Sequence, residues 1–314
     1  MRRFAPFFST SSEATGIRGG VPAAIFGKGE WGEPGERSEW WGARRSVLPR
    51  WTAPASISHA PRLFMNVLIL AAGYATRLYP LTLTKAKPLL DVAGKPMMEW
   101  VIDNLAPIQN LEKVYVVTNN KFAADFEVWA KGYEAENPKL RVEIINDQST
   151  GDADKLGAIG DIRLVIEKAG LDRSDLLVVA GDNLFSESLG AFGDFCSRVN
   201  QPVLGLYDVG SLEQARKYGV VAVSSTGEIT SFEEKPADPK STLIGIALYY
   251  YPKETVAEFE TYLSEGNNPD QPGRFVQWLY QRTAVQTWNV PGTWFDVGSK
   301  ETLEEANRIF AQFR

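Results

Sequence analysis

Residues 66–82 of the chain read NVLILAAGYATRLYPLT, and this stretch determines how the rest of the sequence is interpreted. The first six residues, 66–71, are almost entirely apolar, which is typical of a parallel strand buried on both faces of a sheet. A loop rich in Gly, Pro and small residues follows and continues to Pro96. The stretch therefore predicts the opening strand of an α/β domain, followed by a loop that can approach a ligand.

Strand and helix patterns alternate after this opening segment. One face of a first helix is formed by four apolar residues at helical spacing: Met98, Val101, Ile102 and Leu105. Further strands are predicted at 114–117, 142–145 and 176–180, and further helices at 122–133 and 159–166. Strands separated by helices of about 10–15 residues imply right-handed βαβ units. The sequence therefore predicts an α/β fold with an open, mostly parallel, doubly wound sheet of Rossmann-like type.

The rhythm changes after about residue 201, where shorter strands come closer together. Strands are predicted at 203–207, 219–223, 230–234 and 244–251, and helices near 253–264, 273–282 and 300–311. This pattern predicts a smaller extension that continues the sheet and covers the pocket. Within the domain 65–314, residues 65–200 would form one half and residues 201–314 the other.

The composition argues against several classes of function. The chain has 314 residues and a formal net charge of −6, which argues against non-specific binding to nucleic acid. The single cysteine, Cys196, rules out a disulfide framework and a zinc site built on thiolates. The single histidine, His59, nearly rules out acid–base chemistry by imidazole. No apolar run approaches the ~18 residues that span a bilayer, so a membrane protein is not expected.

Residues 1–64 differ from the rest of the chain. They carry nine basic and five acidic residues, are rich in Gly, Pro and Ser, and show no regular periodicity. Four tryptophans are unusual for a disordered arm, and no apolar stretch resembles that of a signal peptide. Met65 stands directly before the first strand. We expect an upstream, non-native extension of a protein that begins at Met65, with a disordered arm as the alternative.

Positive charge follows the first strand, at the edge where open α/β sheets bind ligands. Small residues around Gly73 let backbone N–H groups approach an anion, and Arg77 and Lys87 add fixed charge. The segment has neither the third glycine of a dinucleotide fingerprint nor the Gly-Lys-Ser/Thr of a P-loop. The residues favour an oxyanion site, and a solvated basic loop is the alternative.

This segment resembles the signature of the sugar-1-phosphate nucleotidylyltransferases, in particular the short glucose-1-phosphate thymidylyltransferase type without a β-helix tail. The family loop reads Leu-Ala-x-Gly-x-Gly-Thr-Arg-Leu-x-Pro-Leu-Thr, with a lysine ten residues beyond the arginine, as Lys87 follows Arg77. Ala75 stands where the family has its second glycine. The resemblance extends over essentially all of 65–314 and implies that Arg77 and Lys87 are catalytic. The nucleotide contacts that it implies are Leu70, Ala72, Gly73, Thr76, Arg77 and Lys87.

Two carboxylates are candidates for a metal site. Asp182 follows the apolar strand at 176–180, where a carboxylate is suited to a hard cation, and it matches the family's Gly-Asp that holds Mg²⁺. By resemblance its partner is Asp296, within the family's Trp-x-Asp-x-Gly. Taken singly, Asp182 could instead cap a helix or stabilise a turn, and Asp296 could start the helix at 300. The resemblance therefore implies Mg²⁺ as the cofactor.

A third group matches the residues that hold the sugar phosphate in this family. Tyr218-Gly219-Val220-Val221 resembles its Tyr-Gly-Val-Val, whose glycine lets the sugar lie against the main chain. Glu234 and Lys235 match its Glu-Glu-Lys-Pro, where they would accept from sugar hydroxyls and bind the 1-phosphate. Gly245 matches a glycine that flanks the same pocket. For Glu234 and Lys235 the alternative is an exposed strand end before a proline turn.

The base-reading residues are the least well matched. Gly157 aligns with a nucleotide-binding glycine, but Gln148 lies nine residues before it rather than five as in the family. Capping by Asp154 or Thr150 would explain several polar residues here without any ligand. The preferred base therefore stays open.

Together the motifs predict an enzyme that transfers a nucleotidyl group from dTTP or UTP to a sugar 1-phosphate, with glucose 1-phosphate the expected acceptor. A largely dianionic sugar phosphate needs positioned charge rather than a general base to attack. The expected partners are these two substrates, without nucleic acid or membrane, and a homo-oligomer is compatible with the sequence. We expect a cytoplasmic location.

Two alternatives stay open. A regulatory subunit of the same family would bind a nucleotide sugar without releasing pyrophosphate, and Ala75 and the altered 146–157 loop would then mark lost turnover. A transferase for another phosphorylated acceptor would keep the nucleotide loop but would not need Tyr218-Gly219 together with Glu234-Lys235.

Overall fold

The predicted alternation of strands and helices is present in the structure, a computed structural model that describes residues 64–313. The strands are β1 (Met65–Leu70), β2 (Asp91–Val92), β3 (Lys95–Pro96), β4 (Leu111–Thr118), β5 (Val142–Asn146), β6 (Asp175–Ala180), β7 (Asn183–Phe185), β8 (Val203–Asp208), β9 (Gly219–Val223), β10 (Ile229–Glu234), β11 (Leu243–Tyr251), β12 (Gln286–Asn289) and β13 (Trp294–Asp296). The hypothesis about residues 1–64 concerns a segment that lies, apart from Phe64, outside the described residues.

The helices follow the apolar stripes of the sequence. They are α1 (Met97–Leu105), α2 (Ala123–Glu136), α3 (Ala158–Ala169), α4 (Gly190–Val199), α5 (Leu212–Ala215), α6 (Lys253–Val256), α7 (Glu258–Ser264), α8 (Pro272–Leu279) and α9 (Lys300–Phe310). Among the described residues, no helix combines the length and the apolar character needed to cross a membrane.

One sheet joins both halves of the described chain. β6, β1, β4 and β5 lie side by side and run parallel, with β1 paired to both β6 and β4. β11 pairs with β6 in the antiparallel sense. β8 and β9 pair with β11, β10 pairs with β9, and β12 pairs with β8, so the strands of the second half continue the sheet. The predicted α/β class with an open, mostly parallel sheet is confirmed, and the second half extends the same sheet.

The apolar strand β1 contributes to a hydrophobic core on each face of the sheet. Val67 and Ile69 are fully buried with side chains of α1, α2 and α4, whereas Leu68 is buried on the other face with α3, α7 and α8. Burial of each such aliphatic side chain contributes about 1.5–3 kcal/mol. This double coverage explains why the strand is apolar at every central position.

A third, smaller core fixes the end of the chain. Trp100 of α1 packs edge-to-face on Phe310 of α9, with ring centroids 5.4 Å apart. α9 begins at a capping box in which Ser299 and Thr302 bond reciprocally. Because α9 follows β13 after a few residues, this core also determines where β13 lies.

Several short elements carry no local sequence signal. β7 and β13 have three residues each and pair with one another, although more than 100 residues separate them. α4 contains two glycines, and β12 is only partly buried. The helix predicted over 253–264 divides at Ala257 into α6 and α7.

Candidate active site

The strand order reverses at β1, and this reversal defines the ligand crevice. The chain leaves β1 for β4 and β5 on one side and later enters β6 on the other. Open α/β sheets bind ligands outside the carboxyl ends of their strands at such a point. Here the loops after β1 and β6 are joined directly, because Gly181 N donates to Leu70 O at 3.0 Å. The two motifs that follow these strands therefore share one edge of the sheet.

The loop after β1 is held in shape by hydrogen bonds to its own carbonyl groups. Asn119, directly after β4, donates from Nδ2 to Ala72 O at 2.8 Å. Ala75 has a left-handed backbone (φ 47°), and its carbonyl accepts from Thr82 Oγ1 at 2.8 Å. The predicted nucleotide contacts here divide into two half-buried residues, Leu70 and Ala72, and three exposed ones, Gly73, Thr76 and Arg77. The sequence analysis missed Asn119, whose only signal is a polar residue at the carboxyl end of a strand.

Lys87 and Asp182 form an ion pair between the two loops. Lys87 Nζ lies 2.5 Å from Asp182 Oδ2, and the Lys87 side chain is 13% exposed. Asn183 donates from Nδ2 to Asp182 Oδ1 at 3.0 Å. Burial alone would raise the pKa of Asp182, but the charge of Lys87 and the bonds from Lys87 and Asn183 hold it below its ordinary value. Asp182 is therefore a carboxylate at neutral pH.

Asp296 reaches Asp182 through the pairing of β13 with β7. In this register Asp296 lies opposite Asn183, the residue after Asp182. Trp294 donates from Nε1 to Asn183 Oδ1 at 2.7 Å and fixes the amide that bonds to Asp182. Burial and then the charge of Asp182 raise the pKa of Asp296 to about 6. The charge of Asp182 therefore acts on the Asp296 carboxyl, which the strand register places opposite the residue after Asp182.

Positive charge from three separate segments acts on the Asp296 carboxyl. Lys87, Arg77 and Lys235 each oppose the increase in its pKa. Tyr218 lies nearby: burial raises its pKa to about 12, and both carboxylates act in the same direction. We call the charged side chains assembled here the charged cluster: Arg77, Lys87, Asp182, Lys235 and Asp296.

The paired carboxylates have the chemistry of a site for a hard divalent cation. Within residues 64–313, no group of three or more His, Cys, Asp or Glu side chains could hold a metal ion. Mg²⁺, however, is commonly bound by one or two carboxylates together with water and substrate phosphates. The pKa of Asp296 is raised by burial and then by the charge of Asp182. Two carboxyl groups in this relation fit such a site, since a cation would relieve their repulsion.

Three glycines surround Phe232 and Glu234 on the other side of the crevice. A Cβ on Gly219 would lie 2.4 Å from Phe232 Cζ and 3.1 Å from Glu234 Oε2. A Cβ on Gly245 would lie 2.8 Å from Leu204 Cδ2 and 3.4 Å from Phe232 Cε2. One on Gly273 would lie 2.6 Å from Glu234 Oε2. Because these glycines have no Cβ, they leave space that other side chains of the protein occupy, among them Phe232 and Glu234. We call Gly219, Gly245 and Gly273 the glycine cluster.

Glu234 and Lys235 connect the two clusters, since Glu234 lies beside Gly219 and Gly273 and the next residue, Lys235, belongs to the charged cluster. Their side chains are 12% and 51% exposed, respectively. Burial raises the pKa of Glu234, and the charges of Lys235 and Arg274 oppose this increase. Lys235 has a left-handed backbone (φ 49°), and its N–H donates to Tyr218 O at 3.0 Å. Such a conformation costs a non-glycine residue about 1–2 kcal/mol, and conformations of this kind are concentrated at binding sites.

The sequence analysis missed the first turn of α8 and the segment that precedes it. Gly273 and Arg274 both act on Glu234, and the signal that could have revealed them is a Pro-Gly pair at the start of a predicted helix. The same segment reaches the other end of the crevice, because Ile159 N donates to Pro269 O at 2.8 Å.

Gly157 lies at the start of α3, apart from the charged cluster and next to this segment. Its φ is 81°, and a Cβ would lie 2.7 Å from Pro269 O. Capping of α3 by Asp154 or Thr150 does not occur, since α3 follows Gly157 without a side-chain cap. Asp154 instead accepts from the N–H groups of Thr150 and Gly151 and closes a turn within its own loop.

Comparisons with known proteins agree with this architecture. Bifunctional protein GlmU of Methanococcus aeolicus is 25% identical over 244 residues, which cover 77% of this chain and 54% of that protein. Glucose-1-phosphate thymidylyltransferase of Streptomyces griseus is 27% identical over 250 residues, or 78% of this chain and 66% of that protein. The chain thus spans about half the length of the GlmU relatives it matches.

A solved structure has the same fold. UDP-glucose pyrophosphorylase complexed with UDP-glucose superposes with a TM-score of 0.67 at 21% identity, covering 80% of this chain and 100% of that chain. The sequence model described as nucleotidyl transferase matches residues 66–312, nearly the whole described range. The crevice with its charged cluster is thus found in a chain that belongs to the nucleotidyl transferase family.

Proposed function

We propose that this protein transfers a nucleotidyl group from dTTP or UTP to glucose 1-phosphate, giving the nucleotide sugar and pyrophosphate. The observation that carries the proposal is the ion pair of Lys87 with Asp182 at the strand-order reversal, where strand pairing also places Asp296. The charges of Arg77 and Lys235 act on this second carboxyl group. Residues 65–200 would bind the nucleotide, and residues 201–314 the sugar phosphate. The names of the relatives, which include a thymidylyltransferase and a uridylyltransferase acting on glucose 1-phosphate, support this substrate class.

The reaction needs no proton transfer. A sugar 1-phosphate is largely dianionic near neutral pH, so one of its oxygens can form the new bond to the α-phosphorus directly. The bond from that phosphorus to the bridging oxygen breaks, and pyrophosphate leaves with the electron pair. The remaining tasks are to hold two polyanions in line and to stabilise the charge of the leaving group. A cluster of basic groups can do both without a histidine.

Each basic side chain has a distinct role in this proposal. Arg77 and the backbone N–H groups around Gly73 bind the β- and γ-phosphates, where the leaving group develops its charge. Lys87 binds oxygens of the transferred phosphoryl group, and the carboxylate of Asp182 fixes its ammonium group. Lys235, half-exposed beside Glu234, binds the phosphate of the attacking sugar.

Asp182 and Asp296 would hold Mg²⁺. When bound, this ion screens the charge between the nucleotide and the sugar phosphate. The protein contributes the orientation of these carboxylates: Asn183 and Trp294 fix Asp182, and the pairing of β7 with β13 carries Asp296 to it.

Glu234 would recognise the sugar. Its carboxylate is mostly buried between Gly219 and Gly273, so its position is determined by packing rather than by solvent. A buried acceptor that bonds a substrate hydroxyl discriminates strongly against analogues that lack it. We propose that Glu234 accepts hydrogen bonds from hydroxyls of the hexose ring.

Pyrophosphate release by the full chain tests this function. Five nucleoside triphosphates (dTTP, UTP, GTP, ATP and CTP) are each combined with glucose, mannose and N-acetylglucosamine 1-phosphates, with and without Mg²⁺. We expect Mg²⁺-dependent release with dTTP or UTP and glucose 1-phosphate. Binding of a nucleotide sugar without release for any pair would support the regulatory alternative, and release with a different acceptor would correct the substrate.

A further inference from the structure

A chain of hydrogen bonds connects the glycine-containing loop after β1 to the loop after β5. Tyr74, between Gly73 and Ala75, is buried, and its hydroxyl lies 3.1 Å from Ser149 Oγ. Ser149 Oγ donates to Asp147 Oδ2 at 3.0 Å, and Ser149 N donates to Asp147 Oδ1 at 2.7 Å. Since the only hydroxyl proton of Ser149 goes to Asp147, Tyr74 must be the donor to Ser149. The hydrogen bonds therefore run in one direction, from Tyr74 through Ser149 to Asp147.

This series of hydrogen bonds ends at a second buried carboxyl group. Asp161, in the first turn of α3, is 6% exposed, and its side chain bonds to that of Asp147. Asp161 Oδ1 is buried, and no donor among the described residues bonds to it. Two carboxylates are both acceptors, so a hydrogen bond between them requires a proton on one of them. One proton held between Asp161 and Asp147 meets this requirement.

The surroundings of Asp161 favour its neutral form. Burial, the charge of Asp147 and the charge of Asp270 raise the pKa of Asp161 to about 8. Within the described part of the chain, Asp147 and Asp270 are the ionisable groups that act on it. The basic side chains of α3 and of the elements packed against it bond elsewhere: Arg163 to Glu260, Lys168 to Asn146 O, Lys113 to Glu143, and Arg274 to Gln271.

We propose that the proton shared by Asp161 and Asp147 positions the loop around Gly73 for the nucleotide, through Ser149 and Tyr74. Asp161 is then a positioning residue that touches no substrate. The proposal rests on the proposed function, because that function makes this loop the site of the phosphates. Loss of the proton would leave two carboxylates in repulsive contact. Their repulsion would displace Asp147, and with it Ser149, which bonds to Asp147.

The pH dependence of stability tests whether the proton is shared, without any substrate. An unfolded Asp has a pKa of about 3.9, so between about pH 4 and 8 the folded wild type binds the proton more tightly. Its stability therefore falls as the pH rises through this range. Asp161→Asn keeps a donor to Asp147 but cannot titrate. We expect the melting temperature of the variant, minus that of the wild type, to increase from pH 5 to pH 8 and then to level off.

Nucleotide binding tests whether the proton positions the loop. The Kd of the wild type for the Mg²⁺ complex of its preferred nucleoside triphosphate is measured by calorimetry from pH 7 to 9.5, where the triphosphate is fully ionised. We expect the Kd of the wild type to rise about tenfold over this range, which corresponds to roughly 1.4 kcal/mol of binding free energy. In Asp161→Asn it should change less than twofold over the same range.

Two further variants complete the design. Tyr74→Phe breaks the chain at its other end, so it should raise the Kd at every pH while leaving the pH dependence of the melting temperature unchanged. Asp154→Asn alters an exposed carboxylate of the same loop, and the wild-type rise in Kd above pH 8 should persist.

The outcomes separate this proposal from the proposed function. A difference in melting temperature that does not vary with pH overturns the shared proton. An equal rise of Kd in wild type and Asp161→Asn, or an unchanged Kd in Tyr74→Phe, overturns the positioning role. If no nucleotide binds the wild type, the proposed function fails and the positioning role fails with it, while the melting data still decide whether the proton is shared.

Discussion

The two sides of the crevice are organised by different forces. In the charged cluster, Lys87, Asp182 and Asp296 are held by an ion pair, hydrogen bonds and strand pairing. In the glycine cluster, Gly219 and its neighbours act only through the space they leave for Phe232 and Glu234. A substitution on the first side should therefore change the rate more than the stability. One on the second side should change the stability and displace a carboxylate at the same time.

The largest effect is expected from Lys87→Ala in the charged cluster. Loss of a positioned charge typically lowers kcat by about 10²–10³-fold, and we expect at least the lower value in kcat/KM for pyrophosphate release. The melting temperature should also fall, because Asp182 loses its ion-pair partner, but the protein should stay folded, since no side chain of the hydrophobic cores is changed. Lys85→Ala is the matched control, since Lys85 is an exposed lysine of the same segment paired with Asp91. Turnover of Lys87→Ala close to that of the control would remove Lys87 from the mechanism.

The next largest effect is expected at Gly157, which lies against the backbone of the segment before α8. Gly157→Ala combines a positive φ with a Cβ 2.7 Å from Pro269 O. Strain and overpacking together should reduce the free energy of unfolding by about 3 kcal/mol. Gly170→Ala is the control, because Gly170 also has a positive φ (65°) but open space beside it. It should lose only about 1 kcal/mol. Equal losses in chemical denaturation would mean that Gly157 does not contact Pro269 as described.

Gly219→Ala tests the glycine cluster itself. A Cβ 2.4 Å from Phe232 Cζ should displace the ring and the nearby Glu234 carboxylate. We expect a loss of about 1–3 kcal/mol in stability, together with a higher KM for the sugar phosphate. Phe232→Leu in the same chain should restore part of the stability, because it removes the ring atoms in contact. A raised KM without any loss of stability would instead favour direct contact of the sugar with Gly219.

The sequence predicts which residues form the charged cluster, but it does not predict the strand pairing that brings them together. Charge at the ends of buried strands is visible in the residues, and Arg77, Lys87 and Asp182 follow strands that are apolar at their central positions. Asp296 was assigned by resemblance alone. The structure brings it to Asp182 through β7 and β13, whose pairing depends on contacts between residues far apart in the chain.

Other parts of the site could not be predicted, because the role of these residues depends on which atoms the fold places next to them. Gly219 was expected to let the sugar approach the main chain, whereas the space beside it contains Phe232 and Glu234. Gly273 and Asn119 have no charge and no motif, and their importance follows only from the atoms they contact. The left-handed backbone of Lys235 is equally invisible in the sequence, since lysine has no preference for that conformation.

The smallest expected effect concerns Ala75, which stands where related loops have a glycine. Ala75 already has the left-handed conformation (φ 47°) that a glycine would adopt more easily. Ala75→Gly should relieve about 1–2 kcal/mol of strain, offset by about 0.5–1 kcal/mol from the greater freedom of the unfolded chain. We therefore expect a melting temperature higher by ~1–3 °C, with turnover within twofold of the wild type.

Ala93→Gly is the matched control for this prediction. Ala93 has the same conformation (φ 48°) in the turn between β2 and β3, outside the charged cluster. Both variants should therefore gain similar stability, because the backbone cause is the same. A large increase in turnover in Ala75→Gly alone would contradict the view that the loop is already in its working shape. The alanine would then restrain the loop, and the regulatory alternative would gain support, since one methyl group would separate a binding protein from an efficient transferase.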